Sequence, residues 1–391
     1  MVCLLLTGCG LRPGEGVPDP AASGSGAAPG TAPEADLPDI EAYLVGMTLE
    51  EKVGQLFFVR PEALDPGRSA ADGENAPGVR RMTEEMRNNL ACCPVGGVVF
   101  FGKNIFSPGQ LTEFLAALQS ASRIPLILAV DEEGGAVSRL AGEARFDLPR
   151  YASAAAVGAG GDPSAAAEMG RTIGSYLKRF GFSMDFAPVA DVRTNPDNPV
   201  IGDRAFSGDA AVVSDMAAAM AGGLLEAEII PVYKHFPGHG DTREDSHLDL
   251  AVTRKSYKEL QSCEWLPYLR GDLSRCAVMV GHIAVPAVTG DMVPASMSEI
   301  LVNGVLRSEL GFDGLVITDS LAMGAIAAAY DPGEAAVNAL LAGCDVLLIP
   351  PDLSVAYAAV LRAVREGVLT EERLDRSVSR ILRCKALAGL L

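Results

Sequence analysis

The 391-residue chain is 49% hydrophobic and sets 32 basic against 50 acidic residues, for a formal net charge of −18. That length and apolar content allow a large buried core, and an α/β barrel routinely fills such a length as a single domain. The acidic excess argues against nucleic-acid binding by phosphate neutralisation, and the scattered cysteines, without a CxxC pair or a Cys/His zinc spacing, argue against a disulfide framework or a cysteine zinc site.

The N-terminus reads MVCLLLTGCG, in which Leu6-Thr7-Gly8-Cys9 has the form of a bacterial lipobox with Cys9 as the lipidated residue. Its short apolar run lacks the preceding basic residues of a secretory signal, so residues 1–9 read as a truncated-looking lipoprotein signal, as a late start codon would produce. Residues 10–36, rich in Gly, Pro, Ala and Ser, read as a disordered tether. The expected location is the extracellular face of the cell membrane, or the cytoplasm if the start is genuine and uncleaved. No later stretch approaches about 18 uninterrupted apolar residues, so no membrane-spanning helix is expected.

From 37 to 391 short apolar runs alternate with helical patterns. Thr48 to Glu51 is a capping box, and Ser107-Pro108-Gly109-Gln110 opens another helix with proline at its first position. Buried-strand runs fall at Gln55–Val59, Gly97–Phe101, Leu126–Asp131, Phe182–Pro188, Ile229–Tyr233, Ala277–Val280, Leu315–Asp319 and Val346–Ile349. Helices are predicted at Ala210–Ala227, from a Ser296–Glu299 cap to Gly311, and near Ser354–Glu366 and Glu371–Ala386. Apolar strands separated by helices predict an α/β fold, a single-domain (β/α)8 TIM-type barrel, with a doubly wound sheet as the fallback. A barrel gathers its polar site residues after the strand C-termini, and Asp131, Asp191, Lys234-His235, His282 and Asp319 stand there.

The densest chemistry lies in KHFPGHGDTREDSHLD, from Lys234 to Asp249, which holds three of the four histidines and whose Pro237, Gly238 and Gly240 rule out a helix. Asp245 beside His247 suits a carboxylate-oriented acid/base, although Ser246 lacks the G-x-S-x-G elbow of a serine hydrolase. A metal held by His235, His239, Asp241 and His247 competes, but H-F-P-G-H does not place both rings on one helical face as H-E-x-x-H does. Asp319, closing an apolar strand, reads equally as a nucleophile or metal ligand and as a helix N-cap.

KHFPGHGDTREDSH, with AVDEEGGAVSRL upstream and GLVITDSLAMGAI downstream, resembles glycoside hydrolase family 3, in particular the bacterial β-N-acetylhexosaminidases, over about residues 40–391. The resemblance implies Asp319 as nucleophile, His247 as acid/base and Asp245 as the aspartate orienting it. It implies Asp131, Arg139, Arg204 (within IGDRAF), Lys234 and His235 as the residues holding an N-acetylglucosamine unit. A retaining exo-β-N-acetylhexosaminidase follows, acting through a glycosyl-aspartate on peptidoglycan fragments or chitin-like oligosaccharides, with no metal or cofactor and as a monomer. A β-glucosaminide phosphorylase, a β-glucosidase and a catalytically silent sugar-binding lipoprotein attached through Cys9 are the alternatives. Many relatives carry a glutamate donor in a second domain; with 41 residues after Pro350, the donor here is expected from the barrel loops. Two departures stand out: Ala136 where relatives often have arginine, and an insertion-like stretch from Pro61 to Met82. His239 is expected to support its turn, Trp265 to be a barrel-wall aromatic and His282 a satisfied histidine near the site.

Overall fold

The computed structural model describes residues 38–67, 78–243 and 250–391. The segments read as lipoprotein signal (with Cys9) and tether lie outside them, as do Asp245 and His247. Within the described residues, eight parallel strands form one ring: β1 (Phe57–Val59), β2 (Gly97–Phe100), β3 (Ile127–Val130), β4 (Met184–Asp185), β5 (Ile230–Phe236), β6 (Ala277–Val280), β7 (Leu315–Thr318) and β8 (Leu347–Leu348). Neighbours pair in sequence order around the ring, and β8 pairs with β1 through Phe57–Leu347 and Phe58–Leu348. Between β7 and β8 the circle closes through the Ile317–Val346 bridge and the Thr318 N–H to Val346 C=O bond of 3.0 Å. This is the (β/α)8 barrel expected from the alternation.

The strands read as continuous apolar runs because both faces are covered, by barrel interior and by helices. The helix Pro163–Phe180 shows the outer layer's logic. Asp162 caps it, Pro163 opens it, and Ala166, Met169, Ile173, Leu177 and Phe180 recur at three- and four-residue spacing on the buried side. Gly181 then ends it at φ 104°, a conformation that carries little penalty only without a Cβ. Phe100 meets Phe114 and Phe182 edge-on at 5.4 and 5.7 Å, tying β2 to the helix Pro108–Ala121 and to the entry of β4. Burying each such ring stabilises the fold by roughly 1.5–3 kcal/mol.

Three expectations change in detail. β5 runs through Phe236, so Lys234 and His235 lie on a strand and the loop begins at Pro237. Regular pairing in β4 shrinks to two residues, although Ala190 N–H still reaches Lys234 C=O at 2.7 Å. Ser296 caps no helix: the helix Ile300–Glu309 starts after Glu299 without a side-chain cap, and the Ser296 hydroxyl bonds His282 instead.

Lys385, on the C-terminal helix, is fully buried, with the Gln55 side-chain oxygen as hydrogen-bond partner. Burial pulls its pKa down to about 7. The unfolded chain, with an ordinary lysine near 10.4, therefore binds more protons between about pH 7 and 10, and stability gains a component that rises with pH there. Buried thiols oppose it above about pH 8.5, since burial holds Cys344 and Cys384 up near 12 while unfolded thiols ionise. Chemical denaturation at pH 7.0 and 8.0 is expected to show a rise in midpoint for the wild type and a smaller one for Lys385→Met; equal rises would contradict the assignment.

Candidate active site

The C-terminal ends of the strands surround a cavity of about 450 Å³, within the size range of small-molecule sites. Asp131, Arg139, Arg204, Lys234, His235 and Asp319, all singled out from sequence, line it together with Glu133 and His239. Asp131 follows β3 directly, and the chain then folds into a short antiparallel hairpin, Glu132–Gly134 against Val137–Ser138. Gly134 and Gly135 turn it at φ 78° and 76°; a Cβ on Gly135 would come within 2.9 Å of the Ser153 Cα. Ala136 sits exposed at this turn.

The hairpin supplies the core of an ionic network that sequence reading missed. Glu133, 2% exposed, accepts from Lys234 Nζ at 2.6 Å and takes Arg204 as a fork, Nη2 at 2.7 Å and Nε at 2.8 Å. Lys234 Nζ also donates to Asp131 Oδ1 at 2.7 Å, and Arg139 approaches Asp131 Oδ2 at 3.5 Å while lying over the Phe101 ring. Burial alone would raise the Glu133 carboxyl, but Lys234 and Arg204 hold it down at about 2. Asp131 is likewise pulled below the carboxylate range, against its burial, chiefly by Lys234. Both acids stay ionised, and Lys234, raised by them in turn, stays cationic. Such a cluster presents fixed acceptors and donors to hydroxyl groups without reorganising.

Asp191, after β4, has a fully buried side chain that organises the end of β5. Its Oδ2 accepts from His235 Nδ1 at 2.7 Å and from the His235 backbone N–H at 3.2 Å, and its Oδ1 accepts from His239 N–H at 2.6 Å. A carboxylate can only accept, so Nδ1 of His235 carries a proton toward Asp191. His239 supports its turn as expected, with Nδ1 at 2.6 Å from the Thr242 hydroxyl. Asn198, also unnoticed in the sequence, binds this turn to the loop after β4: Nδ2 donates to His239 C=O at 2.8 Å, and Oδ1 accepts from Ile201 N–H at 2.7 Å.

Asp319 follows β7 and faces this cluster across the cavity. Its N–H bonds Val280 C=O at 2.8 Å, and its Oδ1 accepts from Ser320 N–H at 2.7 Å. No helix starts there, so the helix-cap alternative falls away; the next helix, Gly324–Ala327, is preceded by Met323. Burial pushes the carboxyl up, but His235, His282, the Ser320 N–H and Lys234 together bring it below its ordinary value. An ionised carboxylate with one oxygen anchored suits nucleophilic attack.

His282 is satisfied beneath this turn: Nε2 donates to Ser320 C=O at 2.9 Å, and Nδ1 accepts from the Ser296 hydroxyl at 2.8 Å. Burial lowers its pKa, against the pull of Asp319 beside it. It thereby fixes the peptide that presents Asp319. His282→Ala is expected to lower kcat on the order of 10²-fold, the effect of an ångström-scale misplacement of a reacting group, with a smaller change in KM. Steady-state kinetics on the folded variant checks this, and an unchanged kcat would refute it. Asp185, on β4, has its carboxyl pushed well up by burial and accepts Glu132 N–H at 2.9 Å, steadying the base of the hairpin.

Residues 48–384 match the family model described as the glycosyl hydrolase family 3 N-terminal domain. The chain is 37% identical over 311 residues to the beta-hexosaminidase LpqI of Mycobacterium tuberculosis, covering 74% of this chain and 76% of that protein. It is 29% identical to beta-hexosaminidase A of Pseudoalteromonas piscicida, over 88% of this chain and 62% of that protein. A glycoside hydrolase family 3 beta-N-acetylglucosaminidase from Paenibacillus superposes with a TM-score of 0.80 at 36% identity, covering 88% of this chain and 63% of that one. The chain thus spans somewhat over 60% of the length of the latter two.

Proposed function

The chain belongs to glycosyl hydrolase family 3, and we propose that it is a retaining exo-β-N-acetylhexosaminidase. It would release terminal N-acetylglucosamine from peptidoglycan fragments or chitin-like oligosaccharides. The observation that carries this reading is the opposition, across one cavity, of an ionised Asp319 to the cluster of Asp131, Arg139, Arg204, Lys234 and His235. The hexosaminidase names of its relatives support the choice of sugar.

In the proposed reaction the cluster fixes the hydroxyls of one pyranose, Asp131 accepting, Lys234 and the arginines donating, and His235 Nε2 supplying a further hydrogen bond. Asp319 attacks the anomeric carbon and the C1–oxygen bond breaks as the leaving oxygen takes a proton from His247. Water, deprotonated by His247, then attacks C1 and frees the Asp319 carboxylate, so configuration is retained. The roles of His247 and of Asp245 as its orienting partner rest on the sequence motif alone. Cys9 is proposed as a lipid anchor holding the enzyme at the outer face of the membrane; Cys9→Ser should move it from the membrane to the soluble fraction.

The direct test is turnover of an aryl N-acetyl-β-glucosaminide, with the matching β-glucoside a poor substrate. Hydrolysis unchanged by phosphate, without sugar 1-phosphate, distinguishes the hydrolase from a phosphorylase. Absence of turnover would leave a sugar-binding protein.

A further inference from the structure

A second pocket, of about 610 Å³, opens beside the catalytic cavity and shares Arg60 and Ile349 with it. Arg60 follows β1 and Ile349 follows β8, so the junction lies next to Asp319 on β7 around the ring. The remaining wall is mostly apolar, including Ala63, Pro66, Cys93, Pro350, Leu353 and Tyr357. Ala63 and Pro66 come from the insertion-like stretch noted in the sequence.

The position of this pocket relative to the proposed reaction is informative. The hydroxyl-binding cluster stands on the ends of β3 and β5 and the loops beyond β3 and β4, whereas the nucleophile stands on β7. In a pyranose the C3–C4 edge lies across the ring from C1. A sugar held by that edge therefore presents C1 to Asp319 and sends its C1 substituent toward β8 and β1, into this pocket.

The charges at the junction specify what the substituent carries. The Arg60 guanidinium has no hydrogen-bond or ion-pair partner among the described residues. Asp352 is committed to the helix it caps, accepting from Val355 N–H at 3.0 Å and the Ser354 hydroxyl at 2.8 Å. Glu62 Oε1 is held by Asn104 at 2.7 Å, Val79 N–H at 3.0 Å and Lys103 at 3.5 Å, while its Oε2 is buried, with no partner among the described residues. With both carboxylates of this wall engaged or buried, the junction offers a guanidinium unpaired among the described residues, in front of an apolar chamber.

We propose that this pocket is the leaving-group subsite and that Arg60 selects glycosides whose leaving group combines an apolar body with an anionic substituent. The inference rests on the glycosidase reading above. The test compares phenyl and 4-carboxyphenyl N-acetyl-β-D-glucosaminide. Wild type should favour the carboxylate by about tenfold in kcat/KM, the worth of one charge-assisted hydrogen bond, and Arg60→Gln should bring the ratio close to one. Alkylating Cys92, an exposed thiol lining the same pocket, with N-phenylmaleimide should likewise reduce the preference, with Cys92→Ser resisting the reagent's effect. A wild-type ratio near one, or a preference untouched by both Arg60→Gln and Cys92 alkylation, would overturn the subsite while leaving the hydrolase standing. No turnover of either glycoside would overturn both.

Discussion

Asp319→Asn is expected to lower kcat on an aryl N-acetyl-β-glucosaminide by about 10⁴-fold or more, equivalent to roughly 5.5 kcal/mol of barrier. The amide preserves the size of the side chain and its acceptor for the Ser320 N–H, now 2.7 Å away. Folding and sugar binding should therefore survive, so KM changes far less than kcat. The loss follows from chemistry alone: a neutral amide is a poor nucleophile toward the anomeric carbon. In Asp319→Ala, azide can occupy the vacated space and attack once, giving the α-glycosyl azide from a β-glycoside. A variant with near-normal kcat, or rescue yielding only the β-azide, would contradict a nucleophilic role for this carboxylate.

The second large effect is expected at Glu133, and it concerns stability as much as binding. Glu133 is the shared anion between Lys234 and Arg204, both of which it contacts within 2.8 Å, and its side chain is 2% exposed. Glu133→Gln leaves one carbonyl to face two cations and sets an amide N–H against one of them. Breaking a buried pair by removing one partner costs about 3–5 kcal/mol, because an uncompensated charge stays behind. Asp131 continues to hold Lys234, so the damage should concentrate on Arg204. The expected result is a melting temperature lower by several degrees and a rise in KM, with Asp319 still able to react at saturating substrate. Stability within about 0.5 kcal/mol of wild type would mean that the network is incidental.

The barrel and the ring of polar residues at its mouth were legible because both follow from local rules. Continuous apolar runs mark strands covered on both faces, and a polar residue ending such a run falls at the strand's C-terminal mouth. Partnerships within the mouth were not legible. Glu133 and Asp191 lie 101 and 43 residues before Lys234, and nothing in one sequence says that their carboxylates converge on β5. Which way Glu132 and Glu133 face depends on the hairpin turned by Gly134 and Gly135: Glu133 meets Lys234, while Glu132 instead accepts Leu140 N–H at 2.8 Å and Ala141 N–H at 2.9 Å. Ser296 misled for a related reason. Its position before an apolar helical run reads as a cap, but the buried His282, just beyond β6, competes for the hydroxyl and takes it. Arg60 carried no motif, and its role emerges only where two cavities meet.

The most direct test of the central claim is to trap the covalent intermediate. Incubation with 5-fluoro-N-acetyl-β-glucosaminyl fluoride slows breakdown of the glycosyl-enzyme relative to its formation, so the adduct accumulates. Peptide mass spectrometry should then find one added fluorosugar on the peptide containing Asp319 and none in Asp319→Asn. A stoichiometric adduct on another residue, or turnover of β-glycosides with inversion and no adduct, would contradict the account.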